Sequence, residues 1–203
     1  MINITIRNER EEDYREVETL TREAFWNLYK PGCDEHFILH KMRTVSAFVR
    51  ELDFVACDNE KIVGNIVYSK AKIQSERGEE YEVLCMGPIA VSPKYQRLGI
   101  GSMLMSESIA KAKQLGYRAV VIFGSPDYYH RFGYKNASDY NIKTSTGENF
   151  DAFMVLEIQK GGLTGIEGKF YEDDVFKVDA KELEEFENNF PYKEKLVTDT
   201  QLR

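Results

Sequence analysis

The chain has 203 residues, of which 42% are hydrophobic and 30% are charged, and its formal net charge at pH 7 is −7. This length and composition predict a globular protein with one domain, or one domain and a small appendage. The negative charge and the scattered basic residues argue against a nucleic-acid partner, and no apolar run approaches the length of a membrane span.

Sequence features also bear on the compartment. The first residues, MINITIRNEREED, lack a basic stretch followed by an apolar one, so we expect no secretory signal. The three cysteines, Cys33, Cys57 and Cys85, show no metal-ligand spacing, and their odd number argues against a disulfide framework. We therefore expect a cytoplasmic protein without a membrane partner or a metal.

The first elements in chain order are a strand and two helices. Ile2, Ile4 and Ile6 alternate with polar residues, which predicts a strand. Apolar residues at helical spacing predict a helix from about Glu11 to Trp26, which Pro31-Gly32 follows as a breaker. A second helix is predicted from Asp34 to Val49.

A hairpin and a central strand come next. Phe54–Cys57 and Ile62–Tyr68 predict the hairpin, with a polar turn between them. Val83–Val91 is apolar and rich in strand-forming residues, but Gly87-Pro88 interrupts it. Because Pro88 has no N–H to give to a sheet, we expect a bulge or a local parting of strands there.

Residues 96–102, QRLGIGS, follow this strand and lead into a predicted helix, in which apolar residues recur at helical spacing. Gly99 and Gly101 lack a Cβ, so the oxygens of a ligand can come close to the backbone. The free N–H groups of a helix's first turn, with the helix dipole behind them, suit a pyrophosphate. The pattern is neither a P-loop nor a dinucleotide fingerprint. A glycine-bearing turn with a purely structural role is the alternative.

The remaining elements follow this helix, whose C-cap we expect at Gly116. Ala119–Phe123 predicts a buried strand parallel to the central one. Pro126 and Gly133 suit the start and the end of a short helix. The later elements are two closing strands and a charged tail that holds a short helix and a strap: Phe150–Gln159, Gly168–Tyr171 and Lys181–Arg203, with Glu182–Glu187 as a solvated face.

Three features together resemble the GNAT superfamily of N-acetyltransferases. The first is QRLGIG after a strand that ends in Ala-Val-x-Pro, and the second is the predicted order β-α-α-β-β-β-α-β-α-β. The third is YHRFGY, residues 129–134, which is similar to the family's Tyr-x-x-x-Gly-Phe segment with Tyr in the last place. The fuller sequences GPIAVSPKYQRLGIGS, SPDYYHRFGY and DAFMVLEIQKGG look like the bacterial group of predicted acetyltransferases called YhbS-like.

This resemblance covers roughly Ile2 to Gly168 and implies an α/β (α+β) fold. The family fold has a mixed, mostly antiparallel sheet with a splay between strands 4 and 5 and helices on both faces. We expect an acyl-CoA N-acyltransferase domain over residues 1–170 and a C-terminal extension over residues 171–203 packed on the same domain.

The resemblance implies acetyl-CoA as co-substrate. Backbone groups of Ile89 and Val91 would bond the pantetheine arm, and N–H groups of Arg97 to Ser102 would hold the pyrophosphate. The Gln96 side chain would steady the turn, and a backbone N–H near Met86–Ile89 would polarise the thioester carbonyl. The full set of expected cofactor contacts is Ile89, Ala90, Val91, Gln96, Arg97, Leu98, Gly99, Ile100, Gly101 and Ser102.

The implied reaction is direct attack by a primary amine in a ternary complex, without an acyl-enzyme. Tyr129 holds the position of the family's general acid, and a phenol with a pKa of about 10 is protonated at neutral pH. The alternatives are that Tyr129 is a core aromatic residue, or that its neighbour Tyr128 has the acid role.

The general base is open at this point. Where some family members carry a glutamate on the central strand, this chain has Cys85. A thiol is a poor base for an ammonium ion, so Cys85 is also consistent with a small buried packing residue. A nucleophilic Cys85 would need an activating histidine or cation. Glu82, Glu35 or His36 acting through water, or solvent alone, are the other candidates.

Glu35 and His36 begin the second helix, in the region that usually covers the acceptor site in this family. They could bind a cationic acceptor, or they could be a helix N-terminal charge and a solvated histidine. The expected partners are a small-molecule or peptide amine, and a second copy of the chain in a homodimer. The competing function is a non-catalytic sensor or regulatory module that binds acyl-CoA.

Overall fold

The computed structural model describes residues 3–201, so Ile2, expected in the first strand, lies outside the described residues. The strands are β1 Ile4–Asn8, β2 Phe54–Asp58, β3 Lys61–Gln74, β4 Glu80–Val91, β5 Ala119–Phe123, β6 Lys135–Asn136, β7 Ile142–Lys143, β8 Phe153–Glu157 and β9 Gly168–Tyr171. The α-helices are α1 Tyr14–Phe25, α2 Glu35–Met42, α3 Ile100–Gln114, α4 Pro126–Tyr129 and α5 Ala180–Glu187.

Two compact units divide the chain. The first unit takes the described parts of Met1–Val67, Pro88–Ser108 and Asp174–Arg203, and the second unit takes Tyr68–Gly87 and Ile109–Asp173. The strands β3 and β4 and the helix α3 contribute residues to both units. The expected division into residues 1–170 and residues 171–203 stays a prediction.

The first unit contains β1, β2 and the start of β3 as neighbouring antiparallel strands. The predicted hairpin is confirmed, and the β2–β3 register shifts between Ala56 and Cys57. Helices α1 and α2 contact each other and bury apolar side chains against the strands. The buried members of this core are Val17, Leu20, Leu39, Met42, Val55, Cys57, Ile62, Val67, Ala90 and Val175.

The second unit contains strands in the order β3-β4-β5-β8-β6, with β9 paired to β3 and β7 paired to β9. The strands β4 and β5 are parallel, as the sequence predicted, while β5 and β8 are antiparallel. Every residue of Ala119–Ile122 is buried, which explains its continuous apolar sequence. The mixed, mostly antiparallel sheet confirms the predicted fold class.

The β4–β5 ladder is short. Among the described residues, it consists of Leu84 with Val120 and Cys85 with Val121. Beyond it, Gly87 adopts a φ of +141°, which favours glycine, and a Cβ built there has no heavy atom within 4 Å. The expected parting of strands beside Gly87-Pro88 is therefore confirmed.

Helix α2 is shorter than predicted, since it ends at Met42 and not at Val49. The Thr44 hydroxyl donates to the Lys41 carbonyl at 2.7 Å, in competition with the helical backbone. Val45 is β-branched, so it also disfavours continuation of the helix. Strand β8 likewise begins at Phe153, so Phe150 belongs to the preceding loop.

The predictions for Gly116, Pro126 and Gly133 are confirmed. Gly116 has a φ of +87° after α3, and the Tyr117 N–H donates to the Ala112 carbonyl at 3.1 Å, which closes the helix. Pro126 begins α4, and Gly133 ends the following turn in the left-handed conformation.

The C-terminal tail is ordered against the first unit's helices. The Trp26 Nε1 donates to the Glu194 carbonyl at 2.8 Å, and the Thr198 hydroxyl donates to the Asn27 carbonyl at 2.9 Å. No helix in residues 3–201 combines the length and the apolar character needed to cross a bilayer.

Candidate active site

The connection from β4 to α3 is an exposed loop with an unusual backbone. A 3-10 turn at Pro93–Tyr95 is closed by the Tyr95 N–H, which donates to the Ser92 carbonyl at 2.8 Å. Arg97 and Gly99 then adopt positive φ values of +64° and +84°. These values turn the backbone so that successive N–H groups can converge on one ligand.

Helix α3 begins directly after this loop. Its first backbone bond runs from the Met103 N–H to the Gly99 carbonyl at 3.1 Å. The N–H groups of Ile100, Gly101 and Ser102 precede that bond, so the helix supplies them with no acceptor. A Cβ at Gly99 would meet no heavy atom within 4 Å, so open space lies beside this turn.

Gly64 on β3 fixes the start of α3. A Cβ there would lie 3.1 Å from the Ala90 carbonyl oxygen and 3.3 Å from Ile100 Cγ2. The glycine thus lets β3, the end of β4 and the first turn of α3 pack closely within the first unit. This packing holds the helix N–H groups in place before any ligand arrives.

The Gln96 side chain bonds back to the end of β4. Its Nε2 donates to the Val91 carbonyl at 3.2 Å. That carbonyl is therefore already engaged, which leaves the Val91 N–H as the group to consider for a ligand. Ala90 is buried in the first unit's core, whereas Ile89 and Val91 are partly exposed.

Tyr129 lies in the second unit, at the end of α4. Its N–H donates to the Ser125 carbonyl at 3.1 Å, and its ring packs over Gly124. A Cβ at residue 124 would lie 2.3 Å from the ring, so only glycine permits this arrangement. The Tyr129 ring also makes edge contacts with Tyr128 and Tyr134, at centroid distances of 4.9 and 5.6 Å.

Tyr134, which replaces the family's phenylalanine, is buried behind Tyr129. Its hydroxyl lies 4.0 Å from the Met86 Sδ, and burial raises its pKa well above the usual value. The phenol therefore stays protonated and serves to pack α4 against β4.

Cys85 is 2% exposed, in the middle of the second unit's sheet. Burial, and then the charge of Glu172, raises the pKa of the thiol well above its usual value. The thiol is thus protonated at neutral pH, as expected of a packing residue. Glu82, another candidate base, is exposed and lies 3.8 Å from the Lys70 ammonium group.

His36 is enclosed, so the expectation of a solvated histidine is wrong. Its Nε2 lies 2.9 Å from Glu187 Oε2, and its Nδ1 lies 3.4 Å from the Cys33 Sγ. The rings of Phe186 and Phe190 lie against it, at centroid distances of 5.5 and 5.2 Å. Burial lowers the pKa of His36, in spite of the raising effect of Glu187.

Glu187 is correspondingly not on a solvated face, contrary to the expectation for residues 182–187. Its carboxylate accepts from Arg22 Nε at 2.8 Å and also from Arg22 Nη2. The Arg22 side chain is 4% exposed and also donates to the Pro191 carbonyl at 3.0 Å. The tail therefore closes over the beginning of α2.

Glu35 is partly exposed beside this closure. Its carboxylate accepts from the Asp34 N–H at 3.1 Å, and burial raises its pKa to about 7. Of the two residues proposed to bind an acceptor, Glu35 is the one with access to solvent.

The structure gathers the loop residues 96–102 in the first unit and Tyr129 with Cys85 in the second. Within residues 3–201, no group of three or more His, Cys, Asp or Glu side chains is arranged to hold a metal ion. The cysteines of this part of the chain are free and buried.

The family model described as an acetyltransferase (GNAT) domain matches residues 5–137. The chain belongs to the GNAT family of acetyltransferases. It is 31% identical over 118 residues to the uncharacterized N-acetyltransferase YhbS of Escherichia coli strain K12, a match that covers 58% of this chain and 69% of that protein. It is 30% identical over 84 residues to YjhQ of the same strain, across 41% of this chain and 46% of YjhQ.

Two solved GNAT structures extend the likeness. The crystal structure of E. coli YhbS in complex with CoA has a TM-score of 0.78 and 26% identity, and the match covers 88% of this chain and 94% of that one. A GNAT acetyltransferase of Brucella melitensis in complex with acetyl-CoA has a TM-score of 0.68 and 26% identity, over 87% and 100% of the chains. The predicted GNAT and YhbS-like resemblance is confirmed.

The residues at the start of α3 fit CoA. The open space beside Gly99 and the unpaired first-turn N–H groups suit the oxygens of a pyrophosphate. The exposed side chains of Lys94 and Arg97 add positive charge to this loop. This chain therefore shares its fold with GNAT relatives whose structures contain CoA or acetyl-CoA, and its α3 loop offers backbone donors that suit such a ligand.

Proposed function

We propose that this GNAT protein transfers acetyl from acetyl-CoA to a primary amine by direct attack in a ternary complex. The observation that carries the proposal is the open glycine turn at Gly99 before the free N–H groups of α3. Acetyl-CoA supplies the acetyl group as a thioester, which an amine can attack without a covalent enzyme intermediate.

Backbone groups of the first unit would hold the cofactor. The N–H groups from Arg97 to Ser102 would donate to pyrophosphate oxygens, with the helix dipole behind them. The backbone of Ile89 and the N–H of Val91 would bond the pantetheine arm, as an added strand does. A backbone N–H within Met86–Ile89 would polarise the thioester carbonyl.

We assign the proton given to the leaving sulfur to the Tyr129 hydroxyl. In the reaction the acetyl C–S bond breaks and a C–N bond forms, while an amine that arrives as an ammonium ion gives one proton to solvent before it attacks and a second as the amide forms. Tyr129 protonates the sulfur and regains its proton from water, so protons balance over one turnover. The raised pKa of the buried Cys85 thiol keeps it protonated, so the thiol does not serve as the base for the amine.

The acid role of Tyr129 is tested by Tyr129→Phe, which keeps the ring packed over Gly124 and removes the hydroxyl. We expect kcat to fall about 100-fold while the KM for acetyl-CoA stays unchanged. Tyr128→Phe is the matched control, because Tyr128 is the neighbouring ring. Equal turnover by wild type and Tyr129→Phe would refute the assignment.

A CoA-binding sensor is the second candidate, and the buried Cys85 favours it, because some family members carry a glutamate at this position. The two functions are separated by mixing the protein with acetyl-CoA and a panel of amines and measuring free thiol. Thiol release with at least one amine supports the enzyme. Saturable acetyl-CoA binding without release on any amine supports the sensor.

We also propose a cytoplasmic location. The free state of Cys33, Cys57 and Cys85 suits a reducing compartment. An acceptor drawn from small amines or peptide amines is consistent with the acidic net charge of the chain.

A further inference from the structure

Four phenylalanines form a stacked cluster at the end of β5 in the second unit. Phe123 is the last residue of β5, and Phe153 is its cross-strand partner in β8. Their ring centroids are 5.1 Å apart, with an interplanar angle of 16°. Phe150 and Phe170 complete the cluster at 6.0 and 6.1 Å from the Phe123 ring. Phe123 thus stacks on Phe150 and Phe153, and its ring is tilted by 57° to that of Phe170.

Two rings of this cluster are buried and two are open. Phe153 and Phe170 are 0% and 2% exposed, whereas Phe123 and Phe150 are 45% and 48% exposed. The two exposed rings stack on each other with an interplanar angle of 26°. A rigid aromatic surface of this kind loses little side-chain entropy when a ligand covers it.

The strand register places this surface beside the parting of β4 and β5. Cys85 pairs with Val121, and two residues further along each strand are Gly87 and Phe123. The ladder has ended by that level, and the Gly87 backbone faces open space. Phe123 therefore lies level with the segment proposed to receive the thioester.

Phe123 and Tyr129 flank the same strand end from opposite faces. The Gly124 N–H continues the pairing of β5, since it donates to the Ala152 carbonyl at 2.9 Å. Successive side chains of a strand point to opposite faces. Tyr129 packs where a Gly124 Cβ would stand, so Phe123 points to the other face.

This arrangement matches the demands of direct transfer. The attacking nitrogen and the leaving sulfur bond the same carbonyl carbon, so acceptor and acid must lie within a few bond lengths of each other. The thioester is proposed to lie at the end of β5, where β4 and β5 part. If the acid reaches its sulfur from one face, the opposite face is open for the acceptor to reach its carbonyl carbon. Glu172, two residues beyond Phe170, adds a negative charge that acts on Cys85, which suits an amine that arrives as a cation.

We propose that Phe123 and Phe150 bind the acceptor, and that the preferred substrates are primary amines carrying an aromatic ring. This inference rests on the proposed function and specifies its acceptor. Stacking on the two open rings would orient the substrate with its amine toward the end of β5.

The test compares 2-phenylethylamine with ethylamine as acceptors for the full chain, with acetyl-CoA saturating and free thiol as the readout. We expect wild type to favour the aromatic amine in kcat/KM. Phe150→Ala and Phe123→Leu should each lower that preference by about threefold to tenfold, since each removes one stacking partner. Thermal melting checks that both variants fold.

Tyr192→Ala is the matched control, because Tyr192 is a 93% exposed aromatic residue of the tail. It should leave the preference unchanged. Equal kcat/KM for the two amines in wild type, or a preference that both variants retain, would overturn the inference while leaving acetyl transfer intact. A dimer that either variant dissociates would also overturn it, because the patch would then be an interface. If no amine of the panel causes thiol release, the proposed function itself is refuted.

Discussion

The beginnings of α3 and α2 are two helix N-termini in the first unit with opposite surroundings. At α3 the backbone N–H groups follow an exposed glycine turn that faces open space. At α2 the Asp34 N–H already donates to the Glu35 carboxylate, and His36 is enclosed by α5. Both starts have the same sense of helix dipole, but only the start of α3 is left uncovered by the chain and is open to the anion that we propose for it.

The largest expected effect concerns the covered helix start. Glu187→Ala removes the carboxylate that accepts hydrogen bonds from the buried Arg22 guanidinium and leaves only the more exposed Glu23 at 3.7 Å, so we expect the free energy of unfolding to fall by about 3 kcal/mol. CoA affinity at α3 should stay unchanged if the two starts are independent. Urea denaturation and CoA titration measure the two quantities.

Glu185→Ala serves as the control for that variant. The Glu185 side chain is 69% exposed and pairs with Lys181, so its loss should change stability by less than about 0.5 kcal/mol. Equal stability of the two variants would mean that the tail does not seal α2.

The second effect concerns the open helix start. Gly99→Val places a β-branched side chain at a φ of +84° and fills the space proposed for the pyrophosphate. We expect CoA affinity to fall about 100-fold, which corresponds to the loss of two charge-assisted hydrogen bonds. Isothermal titration with CoA measures this change.

Gly147→Val is matched to it in backbone geometry. Gly147 has a φ of +91° and open space at its Cβ, but it lies in a loop of the second unit. The two variants should share the same strain and differ only in CoA affinity. A similar loss of CoA affinity in both variants would refute the proposal that the α3 loop binds the pyrophosphate.

The smallest expected effect is a pH dependence of stability that arises from Glu35 at the start of α2. The folded protein raises the pKa of Glu35 from 4.5 to about 7, so it binds a proton that the unfolded chain releases. Stability should therefore fall as pH rises from about 4.5 to 7, by about 2 kcal/mol, and Glu35→Gln should remove that fall. Denaturation midpoints across this pH range check the prediction, with Glu185→Gln as the control. A Glu35→Gln profile parallel to wild type would contradict it.

Local signals in the sequence predicted much of the open site. The glycines, the apolar run of β4 and the start of α3 lie within about 20 consecutive residues, so pattern and backbone chemistry act together there. The strand β5 and the turn at Gly133 were predicted for the same reason. The individual cofactor contacts and the role of Tyr129 stay predictions.

Features that depend on distant parts of the chain were missed. Glu187 was assigned to a solvated face because helical spacing says nothing about Arg22 and His36 on other helices. Phe150 was placed in a strand because its apolar ring resembles a core residue, yet it stands half exposed beside Phe123. Neither set of contacts produces a periodic pattern in the sequence, because the residues come together only when the chain is folded.

The bond between Arg22 and Glu187 also determines when the first unit can finish folding during biosynthesis. The two residues are 165 positions apart, and at a translation rate of about 5–20 residues per second roughly 8 to 33 s separate their emergence. During that interval the buried Arg22 lacks the carboxylate to which it donates hydrogen bonds in the folded chain. The first unit is therefore completed only once Glu187 has been made and has folded back onto Arg22, and a variant that lacks α5 would be more exposed to cellular proteases.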